Sequence, residues 1–200
     1  MSTIKVDTIA TRTGSGNITL SNNVASLTSA GAISGTNLTA SGTLGVTGLI
    51  TASAGVAIGG TGSANTLDDY EEGTFTAVAE GNSTAGTFTN IDPQTTRYTK
   101  IGNMVYLYLV MNFSLSGESG TLRIKGLPFA CASGQEGIGS FQCNNMEGSY
   151  ASNVAHYTPI IQGGESHIHF RGTKTNSDNH DTMTAQGMTY IRVSIMYPTA

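Results

Sequence analysis

The stretch Arg97-Tyr-Thr-Lys-Ile-Gly-Asn-Met-Val-Tyr-Leu-Tyr-Leu-Val-Met-Asn-Phe-Ser114 decides the fold class. Two runs rich in aromatic and aliphatic residues flank Gly102-Asn103, a dipeptide suited to a two-residue hairpin turn. Beyond the turn, Val105, Leu107, Leu109, Met111 and Phe113 alternate with Tyr106, Tyr108, Val110 and Asn112. Side chains two apart on a strand point the same way, so the first set reads as a core face. The second set is not very polar, which predicts that a neighbouring sheet or subunit covers it.

Working outward, strands are predicted at Thr74–Val78, Thr121–Ile124, Ile138–Cys143, Asn153–Ile161 and Ser166–Phe170. The last runs Thr189–Tyr197, with Ile191, Val193, Ile195 and Tyr197 alternating. Turns rich in Gly, Ser and Asn separate them, and no segment carries a helical period. The fold class is therefore all-β. Residues 67–200 are expected to form a jelly-roll-like β-sandwich head with its own core.

Upstream the chemistry changes. Between Arg12 and Asp68 there is no charged residue, and Gly, Ala, Ser, Thr and Asn fill the gap. Leu27-Thr28, Leu38-Thr39 and Ile50-Thr51 open units of nearly equal length, and Thr39-Ala-Ser41 recurs as Thr51-Ala-Ser53. A second apolar position follows at Ile33, Leu44 and Val56, and a third at Val46 and Ile58. Each unit reads as a short strand plus a Gly-containing turn. A unit this small buries too little on its own, so residues 26–66 are expected to form a fibrous β shaft that packs these aliphatics against copies of itself. A flexible Gly/Ser linker would lack the repeated phase. Before the shaft, residues 1–25 hold a short alternating run in which Ile4 and Val6 share a face and Ile9 follows. This segment reads either as an anchor that adds strands to a partner's sheet edge or as a frayed terminus.

Charged residues make up 11% of the chain and the formal net charge is −4. That is well below the roughly 25% usual for globular proteins. It offers no basic patch for nucleic acid and none for anionic membranes. No apolar run approaches a bilayer span. No apolar segment of signal-peptide type follows Lys5, which points to synthesis in a cytoplasm. Cys131 and Cys143 lack CxxC spacing and sit among small or apolar neighbours, so they are read as free buried thiols.

Three passages resemble bacteriophage fibre proteins. Ser2-Thr-Ile-Lys-Val-Asp-Thr-Ile9 looks like the amino-terminal segment of phage structural proteins. Leu67-Asp-Asp-Tyr-Glu-Glu-Gly-Thr-Phe-Thr76 looks like the junction before the distal β-domain of tail-fibre-like proteins. Tyr98-Thr-Lys-Ile-Gly-Asn-Met-Val-Tyr106 looks like that domain's first hairpin. Phe75 stands where that pattern has Trp, and Ala77 where it has Pro. The resemblance covers both ends of the shaft and the start of the head, and it does not extend over 115–200. It implies a homotrimeric virion protein: an attachment segment carrying Ile4, Val6 and Ile9, a thin shaft whose core is Leu27, Ile33, Leu38, Leu44, Val46, Ile50, Val56 and Ile58, and a distal head that binds a host glycan or protein. Its partners would be phage tail or capsid proteins through residues 1–25. The alternative is a head fibre or a capsid or collar decoration protein. A polysaccharide depolymerase ranks third.

Candidate sites in the head are few. The polar stretch Gly172–Asp181 reads either as a solvated loop with no partner or as a loop in which Lys174, Asn176, Asp178, Asn179, His180 and Asp181 contact the receptor, with Tyr150 or Tyr157 beside them. His167-Ile-His169 places two imidazoles on one strand face. Should three chains bring that face to a three-fold axis, six imidazoles would form an octahedral donor set for iron or a similar metal. Two solvent-facing or interface histidines are the simpler reading, and no cofactor is expected. Asp68, Asp69, Glu71 and Glu72 lack the spacing of a Ca²⁺ loop and read as a solvated junction. There is no nucleophile elbow, P-loop or dinucleotide fingerprint, and no carboxylate pair is brought together by spacing, so no enzymatic activity is expected.

Overall fold

The computed structural model describes residues 39–146, 154–174, 180–184 and 188–200. The chain divides between Ile50 and Thr51 into two units. The described part of the first, residues 39–50, holds no regular element. Its small side chains bury too little area to hold a ladder within one chain.

Among the described residues of the second unit, every regular element is a strand apart from a 3-10 turn at Ser63–Asn65. In chain order these are β1 (Val56–Ala57), β2 (Thr66–Leu67), β3 (Tyr70–Gly73), β4 (Val78–Gly81), β5 (Thr87–Asn90), β6 (Thr95–Ile101) and β7 (Met104–Ser116). They continue with β8 (Leu122–Lys125), β9 (Glu136–Met146), β10 (Val154–Gln162), β11 (Ile168–Lys174), β12 (His180–Thr182) and β13 (Met188–Pro198). The all-β reading stands.

β1 and β2 form a small hairpin of their own. The other strands join along one hydrogen-bonded path, β3-β6-β7-β13-β9-β10-β11-β8-β4, with β12 added to β11 and β5 to the far end of β7. All pairings are antiparallel. Strand β4, at one end of the path, also packs against β5 and β7, so the sheet curls into a half-barrel around its own core. Curling follows from the twist of the strands and lets one sheet enclose apolar side chains on its concave side.

The hairpin predicted at Gly102-Asn103 is present, closed by Ile101 opposite Met104, with Gly102 at φ 56°. The core face of β7 is also as predicted. Val105, Leu107, Leu109, Met111 and Phe113 are buried, and Ile191, Val193, Ile195 and Tyr197 of β13 lie buried beside them. From across the curl come Leu122 and Ile124 of β8 and Ile168 and Phe170 of β11. Each such side chain contributes about 1.5–3 kcal/mol on burial.

One predicted strand is replaced by something else. Residues 74–77 belong to no strand; β3 ends at Gly73 and β4 begins at Val78. Their backbone is held by side chains instead. Thr96 Oγ1 accepts from the Phe75 N–H at 3.3 Å and donates to the Phe75 carbonyl. Gln94 does the same for Ala77: its Oε1 accepts from the Ala77 N–H at 3.0 Å and its Nε2 donates to the Ala77 carbonyl at 2.6 Å. Alternation at Phe75 and Ala77 puts both side chains inward, as in a strand. Side-chain groups satisfy buried backbone as well as a ladder does.

The acidic run is exposed, as a solvated junction would be, and the carboxylates of Asp69, Glu71 and Glu72 have defined partners. Glu71 and Glu72 lie on β3, opposite Lys100 and Thr99 of β6. Asp69 pairs with the buried Lys100, Glu71 accepts from the Tyr98 hydroxyl, and Glu72 accepts from the Tyr70 hydroxyl at 2.8 Å. These carboxylates raise the pKa of both phenols, chiefly through the hydrogen bonds.

Near the Gly102-Asn103 turn the outer face of the sheet is apolar. Cross-strand register sets Thr99, Tyr106, Met196 and Ile138 in one row and Ile101 beside Met104 in the next. Tyr106, Met196, Ile138, Ile101 and Met104 are all exposed, Ile138 at 63%.

Candidate functional site

The imidazoles singled out in the sequence come together with a carboxylate. Glu165 lies in the turn between β10 and β11, His167 directly precedes β11, and His169 is its second residue. Several backbone features place Glu165. Gly163 approaches the backbone of residues 132–135 so closely that a Cβ there would meet the Gly134 nitrogen at 2.7 Å. Gly164 sits at φ 84°, a conformation that glycine adopts without strain. The Gly164 N–H donates to the Cys131 carbonyl at 2.9 Å, and the Cys131 N–H donates to the Glu165 carbonyl at 2.8 Å.

So fixed, Glu165 turns its carboxylate to both histidines. Its Oε2 is 2.7 Å from His169 Nε2 and 3.5 Å from His167 Nε2. The rings meet edge to face with centroids 4.4 Å apart. His167 Nε2 is buried and makes no hydrogen bond. Burial holds the His167 imidazole below its ordinary pKa; His169 and Arg123 add to the effect, while Glu165 and Glu80 oppose it. Arg123 lies directly across from His169 in β8. Its guanidinium is engaged by Glu80 of β4, which also takes Lys125 Nζ at 3.3 Å. The three atoms Glu165 Oε2, His167 Nε2 and His169 Nε2 form the donor set of a compact two-imidazole, one-carboxylate cluster within a single chain. The sequence pattern pointed to the histidines. Glu165 had no such signal, because only the turn geometry brings it in.

The polar stretch at 172–181 is narrower as a loop than its composition suggests. Residues through Lys174 belong to β11 and those from His180 to β12, with Gly172 opposite Asp181 and Thr173 opposite His180. The flanks, which carry Lys174, His180 and Asp181, are thus antiparallel strands. Asn176, Asp178 and Asn179 lie outside the described residues, as does Tyr150. Tyr157 lies on β10. It is buried in the core, over Gly172, where a Cβ would meet its ring at 2.8 Å.

In the shaft tract, Leu44, Val46, Ile50, Val56 and Ile58 are all exposed, Leu44 at 62%, and Leu49 beside them at 94%. Leu27, Ile33 and Leu38, and the attachment residues Ile4, Val6 and Ile9, lie outside the described residues.

Cys131 is buried, Cys143 is half-buried, and both are free; burial raises both thiol pKa values. An open depression of about 480 Å³ lies over the Phe75–Thr96 contact, lined by Thr74, Phe75, Asn90, Gln94, Thr96 and Arg97 among others, with no carboxylate, imidazole or thiol. Among the described residues no helix is long and apolar enough to cross a membrane. Comparison with protein-family models, with curated proteins and with solved structures finds no match for this chain.

Proposed function

We propose that this chain is a virion fibre protein: a homotrimer with a thin shaft and a distal, jelly-roll-like head that adheres to the host surface. The observation that carries the assembly is the exposure of Leu44, Val46, Leu49, Ile50, Val56 and Ile58 in the single chain. Leaving this many regularly spaced aliphatics in water is costly, and burial between copies recovers about 25 cal/mol per Å² of apolar surface. The outer face of β6, β7, β13 and β9, with Ile101, Met104, Tyr106, Met196 and Ile138 exposed, supports the same reading. Such a face fits a neighbouring subunit better than water.

Virion attachment through residues 1–25 and host adhesion rest on the resemblance of the amino-terminal segment and the first head hairpin to phage fibres. The β11–β12 strand pair is the proposed contact with a host glycan or protein. Three weak contacts on one shaft would gain avidity without any being strong alone. The role is structural and adhesive rather than catalytic.

Light scattering on the purified full chain tests the assembly: a mass of three chains supports it, and a monomer at micromolar concentration removes it. Immunogold labelling of virions with antibody to residues 67–200 tests the role. Gold along or at the tip of the tail supports receptor binding, and gold over the capsid or neck transfers the protein to decoration.

A further inference from the structure

The geometry points to a divalent transition-metal site of the zinc class, built within one chain by Glu165, His167 and His169. The donors are two imidazole nitrogens and one carboxylate oxygen, a set that suits Zn²⁺ and neighbouring first-row ions. Ligand atoms around a tetrahedral zinc at ordinary bond lengths lie roughly 3.3 Å apart. The carboxylate oxygen lies 2.7 Å and 3.5 Å from the two nitrogens, on either side of that spacing. All three donor atoms lie within 4.8 Å of one another, so side-chain adjustment would admit the ion.

Two observations beyond proximity favour a ligand here. His167 Nε2 is a buried polar atom with no hydrogen bond, and such atoms in folded proteins ordinarily have a partner. The carboxylate is also placed in advance, because its turn is held to Cys131 by backbone hydrogen bonds on both sides. Arg123, across from His169 in β8, is engaged by Glu80. Three protein donors leave at least one coordination position for water or for an oxygen of a bound partner. The site needs no symmetry axis, unlike the six-imidazole arrangement that the HxH pattern suggested. The bound ion would tie the β10–β11 turn to the start of β11.

The test is calorimetric titration of the full-length protein, stripped with a chelator, with ZnCl₂. The expected result is one ion per chain with a dissociation constant at or below about 10 μM. His167→Gln and Glu165→Gln should each weaken binding by about tenfold or more, while His156→Gln, outside the cluster, should leave it unchanged. Zinc should raise the melting temperature of the native protein and leave that of His167→Gln unmoved, a contrast that a purely structural histidine would not give. Absence of saturable binding to the native chain overturns the proposal. So does binding that survives His167→Gln, or a stoichiometry of one ion per three chains, which would assign the metal to a three-fold axis instead.

Discussion

The carboxamide of Gln94 makes both backbone hydrogen bonds of Ala77, accepting from its N–H at 3.0 Å and donating to its carbonyl at 2.6 Å. One side chain thus stands in for a strand partner across the gap between β3 and β4. Asn90 steadies it by accepting from the same Nε2 at 2.9 Å. Gln94→Leu would leave both Ala77 groups unpaired, and Ala77 is fully buried. The expected loss is about 1–3 kcal/mol, read from urea unfolding. Gln94→Glu, which keeps the acceptor but not the donor, should also destabilise. If both variants unfold at the native midpoint, the side chain is not holding the segment.

Tyr197 is a second buried polar anchor. Its hydroxyl donates to the Phe129 carbonyl at 3.1 Å. Burial pushes its pKa well above the ordinary value of about 10. The unfolded chain therefore ionises first as pH rises. The contribution is fully present below about pH 10 and is lost as pH climbs toward the raised folded value. Tyr197→Phe should cost about 1 kcal/mol near neutrality and flatten the alkaline decline, as followed by thermal melts across pH. Parallel alkaline limbs for the two proteins would show that another group drives that decline.

Phe113 joins β7 to β5 through Phe88, their ring centroids 5.7 Å apart. It is almost wholly buried, so Phe113→Ala should open a cavity costing about 3–5 kcal/mol in denaturant unfolding. A cost below about 1 kcal/mol would mean that the β5 end of the sheet is not part of the cooperative core.

The shaft aliphatics give the opposite expectation for a single chain. Leu44→Ser and Val56→Ser remove exposed side chains, so the head's own unfolding should stay within about 0.5 kcal/mol of native. If the chain assembles as proposed, the same changes would remove buried side chains from every copy. The trimer should then dissociate at lower temperature or higher dilution, measured by sedimentation. An unchanged trimer would place those aliphatics outside the shaft core.

Much of the head was legible from alternation alone. The β7 core face could be read because Val105 through Phe113 keep a strict period of two, and the same pattern gave Ile191 through Tyr197. Boundaries were less legible: β9 runs past its predicted ends through Glu136, Asn144 and Asn145, because ladder pairing continues through polar residues, and β13 gains Met188 and Pro198. β5 was missed, since Thr87-Phe-Thr-Asn90 is too short to show a period. The strand expected at 74–78 failed for another reason. Its inward Phe75 and Ala77 do alternate, but their hydrogen-bond partners are side chains of β6 and the segment before it, which no local pattern encodes.

What the sequence by itself determined is the all-β class, the principal hairpin, the core faces and the contrast between a charge-free tract and a charged, aromatic head. These depend on local period and composition, which are written directly in residue order. Only the tertiary structure decided that the strands curl into one continuous sheet, that Tyr157 turns inward over Gly172, and that Glu165 joins His167 and His169. Those relations link residues through strand order and a tightly packed glycine turn. Their determining contacts lie across the sheet rather than along the chain.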